Sequence, residues 1–176
     1  KCQIDDNPDS DLEVNAIALV DRPAIERNFL AFKEKQLFNA DDDRKIISGP
    51  AMLADFPIYR KDETHGEYMV TFEKETIFSI VKKYFRKEFS KNFNLFHDAD
   101  QVPEGVYLIE SFISDESRGV LPMKGFEDAK DGSWFITVKV DNDEVWERIK
   151  SGEFKGFSVE GIFQYAKFNA LPKPKK

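Results

Sequence analysis

A chain of 176 residues with one cysteine and two histidines has little to build several kinds of site from. Cys2 alone closes no internal disulfide, which fits a reducing compartment. His65 and His97 stand far apart, without an H-E-x-x-H or C-x-x-C pattern, so neither a metal site nor a cofactor is expected. No apolar run approaches the roughly 20 residues that span a bilayer, so no membrane partner is expected. Positive charge is also short: 26 Lys and Arg stand against 33 Asp and Glu, a net charge of −7. That balance argues against nucleic acid as a partner, since no broad face would neutralise phosphates. The opening residues show no signal-peptide pattern, and because the chain begins at Lys1 without a methionine, residues upstream of it are expected.

What is present suits one packed domain. Hydrophobic residues make up 41% of the chain, including 17 Phe, enough for a real core at this length. Residues 1–12, polar and acidic, read as a flexible N-terminal segment. Residues 13–168 read as a single domain, and residues 169–176 as a basic C-terminal tail ending in "KPKK". Strands are expected at "EVNAIALV" (13–20), at "NFLAFK" (28–33), and within "IISGPAMLADFPIYR" (46–60), where Gly49, Pro50 and Pro57 suggest strand, turn, strand. "EYMVTFE" (67–73), "VYLIESFIS" (106–114), "SWFITVKV" (133–140) and the closing "EFKGFSVEGIFQYAKF" add more. Helical spacing appears in "KETIFSIVKKYFRKEFSKN", where Ile77, Ile80, Val81, Tyr84, Phe85 and Phe89 form one apolar face. Lys82, Lys83, Arg86 and Lys87 occupy the other face and are expected to be solvated. "DNDEVWERIKSG" is a second, short helix, with Asp141 or Asn142 as its cap and Gly152 after its end. The fold class is α+β: a small bent sheet or barrel flanked by about two helices.

Few residues could carry chemistry. In "KGFSVEG" (155–161), Ser158 lies two residues after Gly156. The G-x-S-x-G elbow of many serine hydrolases fails here, because Glu160 replaces the second glycine and the following segment is strand-like. On a regular strand Ser158, Glu160 and Ile162 share one face, with Phe157, Val159 and Phe163 on the other. Gly156 and Gly161 would leave clearance for a substrate backbone. Alone, Ser158 reads as an ordinary strand serine. His97, in "NLFHD", alone reads as a half-buried histidine ending a loop, and His65, in "ETHGE", as a surface turn residue. A serine nucleophile needs a base within hydrogen-bond reach, and a serine and a histidine from different strand ends, as Ser158 and His97 are, can meet that need on any fold. A third group must orient His97. Glu110, set among apolar strand neighbours, is favoured, with Glu160, Asp98 and Asp115 as alternatives.

The order of these segments resembles the phage prohead, or capsid-maturation, serine proteases. The resemblance covers about residues 13–165. It is carried most specifically by the opening "LVDRPA" and the close "WERIKSGEFKGFSVEG", with "NLFHD" between them. It implies a fold similar to the herpesvirus assemblin proteases, a small β-barrel ringed by helices, with the serine on a barrel strand. It implies Ser158 as nucleophile, His97 as base and an acidic third member. It further implies scaffold protein and major capsid protein as substrates, a homodimer as the active form, and a place inside the immature capsid in the host bacterial cytoplasm.

Overall fold

The computed structural model describes residues 1–4, 7, 9–21, 39–63 and 66–165. The strand expected at 28–33, His65 and the basic tail lie outside them. The described residues form eleven strands and two α-helices: β1 (Cys2–Gln3), β2 (Val14–Val20), β3 (Asn39–Asp41), β4 (Ile46–Met52), β5 (Ile58–Asp62), β6 (Gly66–Val70), α1 (Lys74–Arg86), β7 (Phe93–Leu95), β8 (Val106–Ile113), β9 (Trp134–Val140), α2 (Asp143–Lys150), β10 (Gly156–Gly161) and β11 (Gln164–Tyr165).

Two sheets hold most of the core. In one, β2 lies between β10, antiparallel to it, and β7, parallel to it. Register assigns the faces, because laterally paired residues point to the same side. Phe157 pairs with Leu19, which pairs with Leu95, and Ile17 pairs with Phe93. These five enter the core. On the opposite face Ser158 pairs with Ala18, which pairs with Asn94, and Glu160 pairs with Ala16. The second sheet runs β3-β4-β9-β8. Its inner strand β9 is buried continuously from Trp134 to Val138, which explains its near-uniform apolar sequence.

The sheets are open and do not close into one barrel among the described residues. Pro50 gives a reason. The Val140 N–H donates to the Lys45 carbonyl, so along β4 the amides of Ile46, Ser48 and residue 50 point away from β9. Ile46 and Ser48 meet β3 there. Beyond the end of β3, where β10 comes near β4, Pro50 has no N–H to donate. Gly49 and Pro50 therefore do not make the expected turn. They lie within β4, and the chain reverses after Met52.

The helices follow their apolar stripes. Ile77, Ile80 and Tyr84 of α1 are buried. Its other face is less solvated than its charges suggest. Lys83 is buried and its Nζ donates to the Leu12 carbonyl at 2.9 Å, while Lys87 pairs with the Glu13 carboxylate. These lysines hold the segment leading into β2. In α2 the Asn142 side chain accepts the Val145 N–H at 3.0 Å, and Gly152 follows the helix at φ 78°. Near the start of the chain, β1 pairs with β11, and Cys2 is buried there.

Candidate active site

The site grows from the outer face of the β10-β2-β7 sheet. Beside Ser158 and Glu160, β2 contributes the small Ala18 and Ala16 to that face, so side chains from its two neighbours meet above them. Strands two apart are separated by about 9–10 Å, a gap a glutamate and an asparagine can bridge over alanine methyls. Glu160 on β10 does this: its Oε1 accepts from Asn94 Nδ2 on β7 at 2.6 Å. The same Oε1 lies 2.7 Å from Nδ1 of His97, just beyond β7. A carboxylate only accepts, so Nδ1 of the neutral imidazole carries the hydrogen and Nε2 presents its lone pair.

His97 is delivered by an unusual turn. The Asp98 N–H donates to the Leu95 carbonyl at 3.0 Å, and both central residues have positive φ, 57° at Phe96 and 62° at His97. This is the sign pattern of a type I′ turn, which normally takes Asn-Gly. Phe and His in these positions store backbone strain. Several contacts hold the turn. The Phe96 N–H donates to the Leu19 carbonyl at 2.9 Å, and the Leu95 N–H to that of Gln101 at 3.0 Å. The Phe96 ring packs at 5.0 Å from Phe154. The Arg148 guanidinium lies over both rings and is fixed by two bonds to Glu153. Such strain, fixed from several sides, is what a chain retains where a side chain must be presented.

Ser158 stands two residues before Glu160 on the same face and is 7% exposed. Beside it is a mostly apolar hollow lined by Ala51, Met52, Ile58, Phe72 and Phe163, with Arg60. Among the described residues no hydrogen bond joins Ser158 to His97. The ring of His97 is more open, with 41% of its side chain exposed.

The other carboxylates lie elsewhere. Glu110 is exposed on β8, the outer strand of the four-stranded sheet, where a register shift breaks the alternation between Leu108 and Glu110. Its charge acts on Arg44. The expectation that Glu110 stands among apolar strand neighbours rests on unbroken alternation along β8. Asp98 turns to its own loop, accepting from the Gln101 amide and the Asp100 N–H, which hold its carboxyl below the usual range. Asp115 is held at about 2 by the Ser117 hydroxyl and Arg118.

Two features were not read from the sequence. Asn94 was visible as the first residue of "NLFHD", but only the register of β7 beside β2 puts it on the site face. Gly161 was expected to clear space for substrate. Instead β10 has a bulge between Glu160 and Gly161, and a Cβ on Gly161 would stand 2.0 Å from the Glu13 carbonyl oxygen. That glycine serves the close approach of β2 and the aim of Glu160. Among the described residues, no group of three His, Cys, Asp or Glu side chains could hold a metal ion, and no helix is long and apolar enough to cross a membrane.

Comparison with known proteins places the chain. It is 28% identical over 162 residues to the uncharacterized protein YqbD of Bacillus subtilis (strain 168), an alignment covering 85% of this chain and 44% of that protein. It is 26% identical over 160 residues to the phage-like element PBSX protein XkdF of the same organism, covering 85% of this chain and 52% of that protein. The chain thus spans about half the length of the curated relatives it matches. No solved structure matches it. Residues 34–166 match the model of one family, and the chain belongs to that family, described as "Putative phage serine protease XkdF".

Proposed function

We propose that the chain is a serine endopeptidase with Ser158 as nucleophile, His97 as base and Glu160 as the group that orients His97. The observation that carries this reading is the contact between Glu160 and His97 Nδ1 on the strand face of Ser158. It leaves Nε2 free to take a proton. In the reaction, Ser158 Oγ attacks a peptide carbonyl carbon while its hydrogen passes to His97 Nε2. The C–N bond then breaks, and His97 returns that proton to the leaving amine. Water attacks the acyl-enzyme by the same route, freeing the acid and Ser158. Glu160 stabilises the imidazolium formed between the steps.

The substrates proposed are the scaffold and capsid proteins of a maturing phage head, cleaved inside the immature capsid in the host cytoplasm, with a homodimer as the working form. This finer reading is supported by the family's name as a phage serine protease and by the prohead-protease segment order in the sequence. Co-expression with a scaffold protein tests it. Wild-type protein should cleave the scaffold and Ser158→Ala should not, with unchanged circular dichroism. Full cleavage by the variant would remove Ser158 as nucleophile.

One observation favours a second reading, a capsid-internal docking module without activity: Ser158 and His97 share no hydrogen bond among the described residues. Resting enzymes often carry this bond long and tighten it only with substrate, so the peptidase reading is preferred.

A further inference from the structure

We infer that Asn94 is a positioning residue for the proton relay, fixing the Glu160 carboxylate so that it holds His97 in the reactive tautomer. The inference rests on the reading of Ser158 and His97 as the reacting pair. Asn94 is 5% exposed and sits on the short parallel strand β7, opposite Ala18, with β2 between it and Ser158. Its Nδ2 donates to Glu160 Oε1 at 2.6 Å, the oxygen that also meets His97 Nδ1. One carboxylate oxygen thus takes two donors from residues three apart in sequence, which fixes the direction of the acceptor that selects the His97 tautomer.

The other half of the Asn94 amide argues against a purely structural role. Its Oδ1 is buried without a hydrogen-bond partner. A buried acceptor left unpaired works against folding, and an apolar side chain of similar size would avoid that cost. An asparagine here is therefore poorly explained by stability and well explained by its donor to Glu160. The same face could not host this contact if β2 carried larger side chains than Ala16 and Ala18, so three strands are composed around it.

Asn94→Leu separates the two roles, because leucine keeps the volume and removes both amide groups. Folded stability should hold or rise in a thermal melt. The kcat for a scaffold-derived peptide should fall by roughly 10-fold to 100-fold, by analogy with loss of an outer partner that orients a metal-bound histidine, with KM little changed. The nitrogen-15 shifts of His97 should move from the Nδ1–H form towards a tautomer mixture. Only two histidines are present, so His97→Gln assigns the signals. Asn94→Ala gives the same kinetic and spectral readouts should leucine disturb the sheet. Wild-type kcat and unchanged His97 shifts in either folded variant, beside an inactive Ser158→Ala, would overturn the role of Asn94 alone. Cleavage by Ser158→Ala would overturn it together with the reaction it serves.

Discussion

Glu160 and His97 are 63 residues apart in sequence, yet Oε1 of one and Nδ1 of the other lie 2.7 Å apart. Two strands flanking β2 bring them together, and the alanines of β2 leave the space between them open. The carboxylate proposed to orient His97 is thus on the strand of Ser158, two residues after it.

Carboxylate substitutions discriminate directly. Glu160→Ala should lower kcat for peptide cleavage by about 100-fold or more, since a base without its orienting partner loses the correct tautomer. Glu110→Ala should leave kcat within about twofold, because the residue is an exposed charge on an edge strand. Steady-state kinetics on one peptide checks both. The reverse ranking would return the role to Glu110.

The bulge at Gly161 sets the aim of Glu160. An added Cβ would meet Glu13 backbone oxygen at 2.0 Å, and backbone cannot yield as a flexible side chain can. Gly161→Ala should destabilise the fold by about 2 kcal/mol or more in urea denaturation. It should also reduce cleavage more than the lost folded fraction explains.

Tyr84 offers the opposite case. Its ring packs at 5.4 Å from Trp134, but its hydroxyl is buried without a hydrogen-bond partner, and burial pushes its pKa well above the ordinary value. Tyr84→Phe keeps the packing and removes the orphan. Stability should rise by about 1 kcal/mol, read as a higher urea midpoint at constant m-value. A clear loss of stability would mean that the hydroxyl has a partner.

Cys2 tests whether the first strand is truly part of the fold. Burial pushes its thiol up to about 11, from 9.0 when exposed. At pH 8 the folded protein would then hold about one thiolate in a thousand, against about one in ten unfolded, so iodoacetamide should react roughly 100-fold more slowly in buffer than in urea. The sign for stability follows. A pKa raised by folding means the neutral thiol is preferred in the fold, so the contribution is complete below pH 9 and is lost as pH rises through about 11. Equal alkylation rates in buffer and urea would place Cys2 outside the sheet.

Much of this was legible in the sequence, and the reasons for what was not are physical. Strands with strong alternation or unbroken apolar runs, such as Val14–Val20 and Trp134–Val140, were placed within a residue. So was α2, whose cap and terminal glycine act locally. β7 was not seen, because three residues after a helix show no period and its pairing to β2 is long-range. That Glu160, and not Glu110, meets His97 was hidden for a similar reason. Alternation predicts which face a residue takes within its own strand, but not which strand lies next to it or where a bulge breaks the pattern. Ser158 and Glu160 were put on one face correctly; the reach of Glu160 across β2 depended on alanines in a strand over 140 residues away.

The proposed peptidase activity requires Ser158 to be an activated nucleophile. Reaction with a fluorophosphonate probe, followed by peptide mass spectrometry, measures this without knowledge of the natural substrate. The predicted result is a single adduct on Ser158, strongly reduced in Glu160→Ala and absent in His97→Ala. No adduct on Ser158, under conditions where a control serine peptidase is fully labelled, would contradict it.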